Sequence, residues 1–358
     1  MNENELEQEL QHLIDGICKI DADAKKRAQQ KWNSIAKPLH SLGKLEDHII
    51  KIAGMTGNEE VTIDKKALIV MCADNGVVEE GVTQTGQEVT AIVAENFLTC
   101  NSSAALMCRK AGVDIFPIDI GMASDTKVAN YKIAHGTKNM AKVPAMTREE
   151  AVRAVMTGIR LVKEKKEEGY QIIATGEMGI GNTTTSSAVA SVLLEKSVDM
   201  MTGRGAGLTS AGLEKKKSVI AQAIALHRPD KGDVLDVLSK IGGFDLAGLT
   251  GVFLGGAIYR IPIVIDGFIS ASAALAAVKY CPIALEYMIA SHSSKEPVMQ
   301  LILKELELKA SLFCDMCLGE GTGAVAFLPV LDLAVEVYQK MSTFSDNKIE
   351  DYEELGDK

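Results

Sequence analysis

Ala67-Leu68-Ile69-Val70-Met71-Cys72 is an unbroken apolar run that stops at Ala73-Asp74-Asn75-Gly76. A run that is apolar at every position suits a strand covered on both faces, as in a parallel sheet flanked by helices. The polar glycine turn behind it ends the strand. The same grammar recurs downstream. Val113–Asp119 supplies a second strand, and Gln171–Gly176 a third that leads into a small-residue helix over Thr183–Leu194. Ile261–Asp266 reads as a fourth, followed by an alanine-rich helix over Ser270–Val278, and Glu88 to Ala111 reads as helical. Strands alternating with helices predict an α/β fold, a parallel sheet with helices on both faces.

Before the first strand, Leu6, Leu10, Leu13, Ile14, Ile17 and Ile20 recur at helical spacing, and Trp32 to Ile52 reads as one or two more helices punctuated by Pro38 and Gly43. At the other end, Ser345–Lys358 holds six acidic residues against two basic ones and reads as a solvated tail. The chain has 358 residues, which exceeds the usual ~100–200 per domain, so two units or one large domain with an accessory piece are expected. Hydrophobic residues make up 47% and charged residues 24%, which excludes disorder as the main state. A net charge of −10 with 4% aromatics argues against a nucleic-acid binder of either the backbone-neutralising or the base-stacking kind. No apolar run reaches membrane-spanning length, since Asp266 interrupts the most apolar stretch near Ile261–Ala277. The acidic start, Met1-Asn2-Glu3-Asn4-Glu5, is not a secretory signal. A cytoplasmic protein with seven free thiols and no membrane partner is the expectation.

In parallel α/β sheets the ligand sits beyond the carboxyl ends of the strands. The turns Asp74-Asn75-Gly76, Gly176-Glu177-Met178-Gly179 and Asp266-Gly267 all fall there, as a loop-built pocket requires. Thr175 to Ser187 combines glycines that permit close backbone approach with a helix start near Asn182 and the hydroxyls of Thr183 and Thr184, so it suits an anion; a tight strand-to-helix turn is the structural alternative. Thr202-Gly203-Arg204-Gly205-Ala206-Gly207-Leu208, with Lys215, Lys216 and Lys217 behind it, is either a phosphate clasp or a flexible loop; Lys215 and Lys217 read as a solvated helix face. Leu318-Gly319-Glu320-Gly321-Thr322-Gly323 puts one carboxylate in a ring of glycines. That is either a turn or a desolvated general base. Thr83 and Gln87, in the polar segment after the first strand, offer uncharged hydrogen-bonding groups that suit a neutral heterocycle or a phenol; a plain approach to the next helix fits the composition equally well. Cys314-Asp315-Met316-Cys317 has no second pair or histidines to complete a zinc site and reads as buried free cysteines, and His292 alone says little.

Taken together these stretches resemble a family. Ala73-Asp74, Gly76-Val77 and Glu80-Gly81-Val82, with Gly176–Thr184, Thr202–Gly205, Gly242–Gly248, Asp266–Ala271 and Leu318–Ala324, are similar to the nicotinate-nucleotide:dimethylbenzimidazole phosphoribosyltransferases, over roughly residues 5–340. The resemblance implies transfer of the phosphoribosyl group of nicotinate mononucleotide to dimethylbenzimidazole or a related base, giving the α-ribotide used as the lower ligand of cobamides. It implies Glu320 as the base; Glu177, Gly179, Asn182, Thr183, Gly203, Arg204, Gly205 and Lys216 on the phosphate, the ribose or elsewhere in the active site; and Thr83, Gln87, Met178 and Leu318 around the acceptor. It implies no metal and no cofactor.

For architecture the resemblance implies a doubly wound, mostly parallel Rossmann-like sheet over residues 56–300 and a small helical domain built from both chain ends, residues 1–55 and 301–345, before an acidic tail at 346–358. It also implies a dimer whose neighbour helps close each site, either a homodimer or a heterodimer with a paralogue. The chain departs from the family at Asn75, where histidine is usual, and at Thr85-Gly86-Gln87, where Tyr-Pro-Gln is usual. Those departures remove bulk beside the acceptor, so phenol or p-cresol is an alternative acceptor. The same residues also leave room for a hydrolase that sends water to the same carbon, or for a non-catalytic partner subunit.

Overall fold

The structure is a computed structural model that describes residues 3–353. Met1, Asn2 and the end of the acidic tail, 354–358, lie outside the described residues. Six strands form one sheet: β1 (Lys66–Ala73), β2 (Val113–Gly121), β3 (Ala129–Asn130), β4 (Ile172–Met178), β5 (Ile263–Ile265) and β6 (Met288–Ala290). Their spatial order is β3-β2-β1-β4-β5-β6, and every neighbouring pair is parallel. This is the doubly wound Rossmann order, with the winding direction reversing between β1 and β4.

The apolar run Ala67–Cys72 lies at the centre, within β1. Leu68 pairs with Ile115 of β2 on one side and Ala174 of β4 on the other, and all eight residues of β1 are buried. Positions of opposite parity serve opposite faces. Met71 lies against Gly248 of the helix Phe244–Tyr259, whereas Leu68 lies against Gly321 at the start of the helix Thr322–Lys340. On the first face, the helix Arg148–Glu167 crosses Phe244–Tyr259 so closely that a Cβ on Gly158 or Gly251 would overlap the other helix's backbone.

Several elements differ from those expected. The helix expected from Glu88 to Ala111 is two helices, Glu88–Leu98 and Ser103–Ala111. Cys100 takes a left-handed φ of 55°, and the Ser102 hydroxyl caps the second helix by accepting from the Ala105 N–H at 3.1 Å. The fourth strand shrinks to Ile263–Ile265 because Pro262 has no N–H to donate, though its carbonyl accepts from Ile173 at 3.0 Å. Strands β3 and β6 have two and three residues, too few to show a period. Ile17 and Ile20 lie beyond the N-terminal helix Glu3–Asp15 and not within its stripe.

Both chain ends are helical and meet. Trp32, in the helix Ala22–Ser34, contacts Tyr338 at 5.0 Å between ring centroids, and His48, in the helix Lys44–Thr56, meets Phe327 edge-on at 5.3 Å. A bridge between Ile35 and Thr343 continues the contact. Among the described residues, Thr322–Lys340 is long and apolar enough to cross a membrane, and 56% of its apolar stretch is buried within the protein. Ser345–Glu353 is exposed, as a solvated tail requires. The seven cysteines are free, but Cys314 and Cys317 are exposed rather than buried. They sit on a surface loop whose backbone runs beside residues 291–295, tied there by Ser293 N–H to Leu312 O and Lys295 N–H to Met316 O.

Candidate active site

The carboxyl ends of β1, β4 and β5, at the crossover point of the sheet, deliver Asp74-Asn75, Met178–Gly181 and Asp266-Gly267 to one side. After β4 the chain turns at Gly181, whose φ is 96°, and enters the helix Asn182–Leu193, whose N-terminus carries no side-chain cap. The loop Leu318–Gly321 lies over β4, and a Cβ on Gly176 would collide with the Glu320 carbonyl. Between these loops is a cavity of about 260 Å³. A larger groove of about 600 Å³ lies between the N-terminal helix and Arg148–Glu167, but none of the glycine loops reaches it.

Of the residues singled out in the sequence, Glu177, Met178, Gly179, Asn182, Thr183, Gly205, Leu318 and Glu320 line the 260 Å³ cavity. Lys216 stands just behind the wall, 1% exposed, with Nζ donating to Thr183 Oγ1 at 2.8 Å and to the Gly203 carbonyl at 3.4 Å. Three others turn elsewhere. Arg204 is exposed and braces its own loop, donating to Leu208 O at 2.8 Å and Ser210 Oγ at 3.1 Å. Thr83 donates to Thr85 O at 2.8 Å, and Gln87 donates to Asn75 O at 3.2 Å. Between the two loops Gln84 reaches Ala206 O and Gly207 O, so the segment after β1 is latched to the glycine loop. Lys217 pairs with Asp199 and Glu214, a helix-face role.

Burial sets the electrostatics. Glu320 holds a left-handed φ of 59° between Gly319 and Gly321, both at 86°. Its half-buried carboxyl is pushed up by desolvation, a shift that the Ala104 N–H opposes and the Asp266 charge reinforces. Glu177 is pushed up to about 8, first by burial and then by the charges of Asp245 and Asp266. The Asn182 amide and the Glu320 N–H both donate to it. Asp245, fully buried beside Asn75 and Gly179, is pushed up to about 7, chiefly by burial. Lys216 falls to about 8 because burial outweighs the attraction of Glu296.

A family model described as phosphoribosyltransferase matches residues 17–349. The chain belongs to this family. It is 49% identical to the nicotinate-nucleotide–dimethylbenzimidazole phosphoribosyltransferase of Clostridium acetobutylicum, over 97% of this chain and 99% of that one. The enzyme of the same name from Ruminiclostridium cellulolyticum is 46% identical over 96% and 99%. A crystal structure of the Thermus thermophilus enzyme of that name superposes with a TM-score of 0.86 at 33% identity, covering 92% of this chain and 99% of that chain.

For a phosphoribosyltransferase the arrangement has a clear division of labour. The open helix end at Asn182-Thr183, with Lys216 behind it, is a cationic, donor-rich corner fit for an anion. The same cavity holds two carboxyls whose ionised forms are disfavoured, Glu177 against the Asn182 amide and Glu320 on its glycine loop, suited to taking or keeping protons.

Sequence reasoning missed four residues here. Asp266 appeared only as part of a turn and a motif, yet its two oxygens accept the N–H groups of Gly321 at 3.2 Å, Gly323 at 2.8 Å and Ala324 at 3.0 Å. It therefore caps the helix Thr322–Lys340 and fixes the Glu320 loop. Asp245 lay inside a quoted glycine motif without a role. Glu296 was assigned no role from the sequence, and its carboxylate occupies the space a Cβ on Gly203 would need. His292 was set aside as a lone histidine, and it lines the cavity.

Proposed function

We propose that this phosphoribosyltransferase moves the 5-phosphoribosyl group of nicotinate mononucleotide to dimethylbenzimidazole or a related base, as the names of its relatives imply. The C1′–N bond to the pyridinium breaks, its electron pair stays on the nitrogen, and neutral pyridine-ring nicotinate departs. The acceptor nitrogen bonds to C1′ from the opposite face, so a β-linked donor gives an α-ribotide for cobamide synthesis. A pyridinium needs no acid to leave. The protein has to supply positioning, an anion grip and removal of one proton from the acceptor.

The observation that carries this reading is Glu320, a partly desolvated carboxyl in a cavity that the Asn182-Thr183 helix start also lines. Glu320 takes the acceptor proton. Gly179, Asn182, Thr183 and Gly205, backed by Lys216, receive the phosphoribosyl group, and Met178 and Leu318 face the acceptor. Leu318, 57% accessible, lines the cavity, and Phe313, 73% accessible, is exposed five residues before it; a second copy in a dimer would cover them. The test is turnover of nicotinate mononucleotide with dimethylbenzimidazole, benzimidazole, phenol and p-cresol. An α-ribotide product supports transfer; ribose 5-phosphate in its place would indicate hydrolysis. Glu320→Gln keeps the shape but not the basicity. It should lower kcat by about 100-fold or more while leaving nucleotide affinity within about threefold. Undiminished turnover by that variant rules Glu320 out as the base.

A further inference from the structure

His292 follows β6 and is 3% exposed. Its ring lies against the backbone of Gly323, where an added Cβ would overlap the Nδ1–Cε1 edge. The Ser291 hydroxyl lies 2.6 Å from the Ile265 carbonyl oxygen and 3.0 Å from His292 Nδ1. A hydroxyl has one hydrogen, and a carbonyl oxygen can only accept, so that hydrogen goes to Ile265. Nδ1 must then carry the imidazole proton and donate to Ser291 Oγ, which leaves a lone pair on Nε2 of the neutral ring.

The surroundings favour the neutral ring. Burial depresses the imidazole below its usual value, with Asp266 pulling the other way. Asp266 is already engaged by three backbone N–H groups, and among the described residues no donor reaches Nε2. His292 therefore presents an acceptor to the cavity that also contains Glu320 and Thr183.

What could donate to it follows from the chemistry of the reactants. The phosphate and carboxylate of nicotinate mononucleotide only accept. The ring N–H of the acceptor is met by the Glu320 carboxylate. The remaining donors are the two ribose hydroxyls. We propose that His292 Nε2 accepts a hydrogen bond from a ribose hydroxyl of the donor nucleotide, with Ser291 holding the required tautomer. This inference rests on the proposed function and adds a donor-binding residue to it.

The experiment compares kcat/KM for nicotinate mononucleotide and its 2′-deoxy and 3′-deoxy analogues in the wild type and in His292→Phe. A buried acceptor built for a hydroxyl penalises its absence, and the wild type should disfavour one analogue by about 10- to 100-fold relative to the variant's own ratio. Comparing ratios between proteins cancels the intrinsic lability of the deoxy sugars. In His292→Phe the ratio should collapse, because the parent nucleotide loses rate and the disfavoured analogue does not. A purely structural role would slow all three donors by one factor. Ser291→Ala should reduce the same ratio by about threefold, since it frees the tautomer. Should the phenylalanine variant fail to fold, His292→Asn is read by the same ratio. Ratios unchanged for both analogues overturn the assignment. A wild type that turns over no nucleotide at all would instead sink the proposed function, so the two failures are distinguishable.

Discussion

Replacing Asp266 by asparagine and by alanine separates the anchoring of the Glu320 loop from the chemistry of Glu320 itself. One oxygen, Oδ1, accepts from Gly323 at 2.8 Å and Ala324 at 3.0 Å, and the other, Oδ2, accepts from Gly321 at 3.2 Å. The side chain is 2% exposed, so bulk water does not stand ready to replace a lost acceptor, although the adjoining cavity gives one side of it access. In Asp266→Asn the amide could keep its carbonyl oxygen on Gly323 and Ala324 but would turn an NH2 group toward the Gly321 N–H. That loses one bond and the negative charge at a helix N-terminus, a cost of about 1–3 kcal/mol. Alanine strands all three N–H groups and opens a small void, a cost of about 3–5 kcal/mol.

Both variants should lose activity as well as stability, because Gly321 is the residue after Glu320 and its backbone fixes the left-handed turn that aims the carboxylate. Denaturant midpoints at constant m-value measure the first effect, and kcat with saturating donor and acceptor the second. The expected order is wild type, then Asp266→Asn, then Asp266→Ala in both measurements, with kcat at least about tenfold down in the alanine variant for a misplaced base. If alanine and asparagine variants match the wild type in stability to within about 0.5 kcal/mol, Asp266 is not holding this loop, and the cap argument fails.

Two further outcomes follow from the buried charges. Lys216→Ala removes the ammonium behind Thr183, so KM for the nucleotide should rise about tenfold or more while kcat at saturation changes less; equal KM values in initial-rate assays would place the phosphate elsewhere. Glu177 has an ordinary carboxyl value of 4.5 when unfolded and about 8 when folded, so between those limits the native state binds the extra proton. Stability linked to it is present below pH 4.5 and is lost as pH rises toward 8, and Glu177→Gln should flatten that decline in urea titrations across the window.

The parts of this protein that could be read from sequence are those fixed by a residue's own covalent chemistry or by its near neighbours. Six apolar residues in a row suit a doubly covered strand, and Leu68 and Met71 are in fact buried on opposite faces. Glycines on either side of Glu320 announced a backbone that few residues tolerate, and φ values of 86°, 59° and 86° follow. The helix break at Cys100-Asn101-Ser102 was legible in principle, since a serine cap and an asparagine stand there, but the apolar residues on both sides hid it.

Residues whose role is a meeting of distant segments were not legible. Arg204 had the right chemistry for a phosphate, yet the carbonyl and hydroxyl of its own loop are four and six residues away and satisfy the guanidinium first. Asp266 gains its meaning from a loop 55 residues downstream, and His292 from a carbonyl at the end of β5. The same geometry links them. Gly323 must lack a Cβ so that the His292 ring can lie against the first turn of the helix, and that first turn is where Asp266 collects its three N–H groups. A single helix start therefore sets both the reach of the base at Glu320 and the direction of the histidine lone pair. A substitution at Gly323 would disturb two functions carried by residues that stand well apart along the chain.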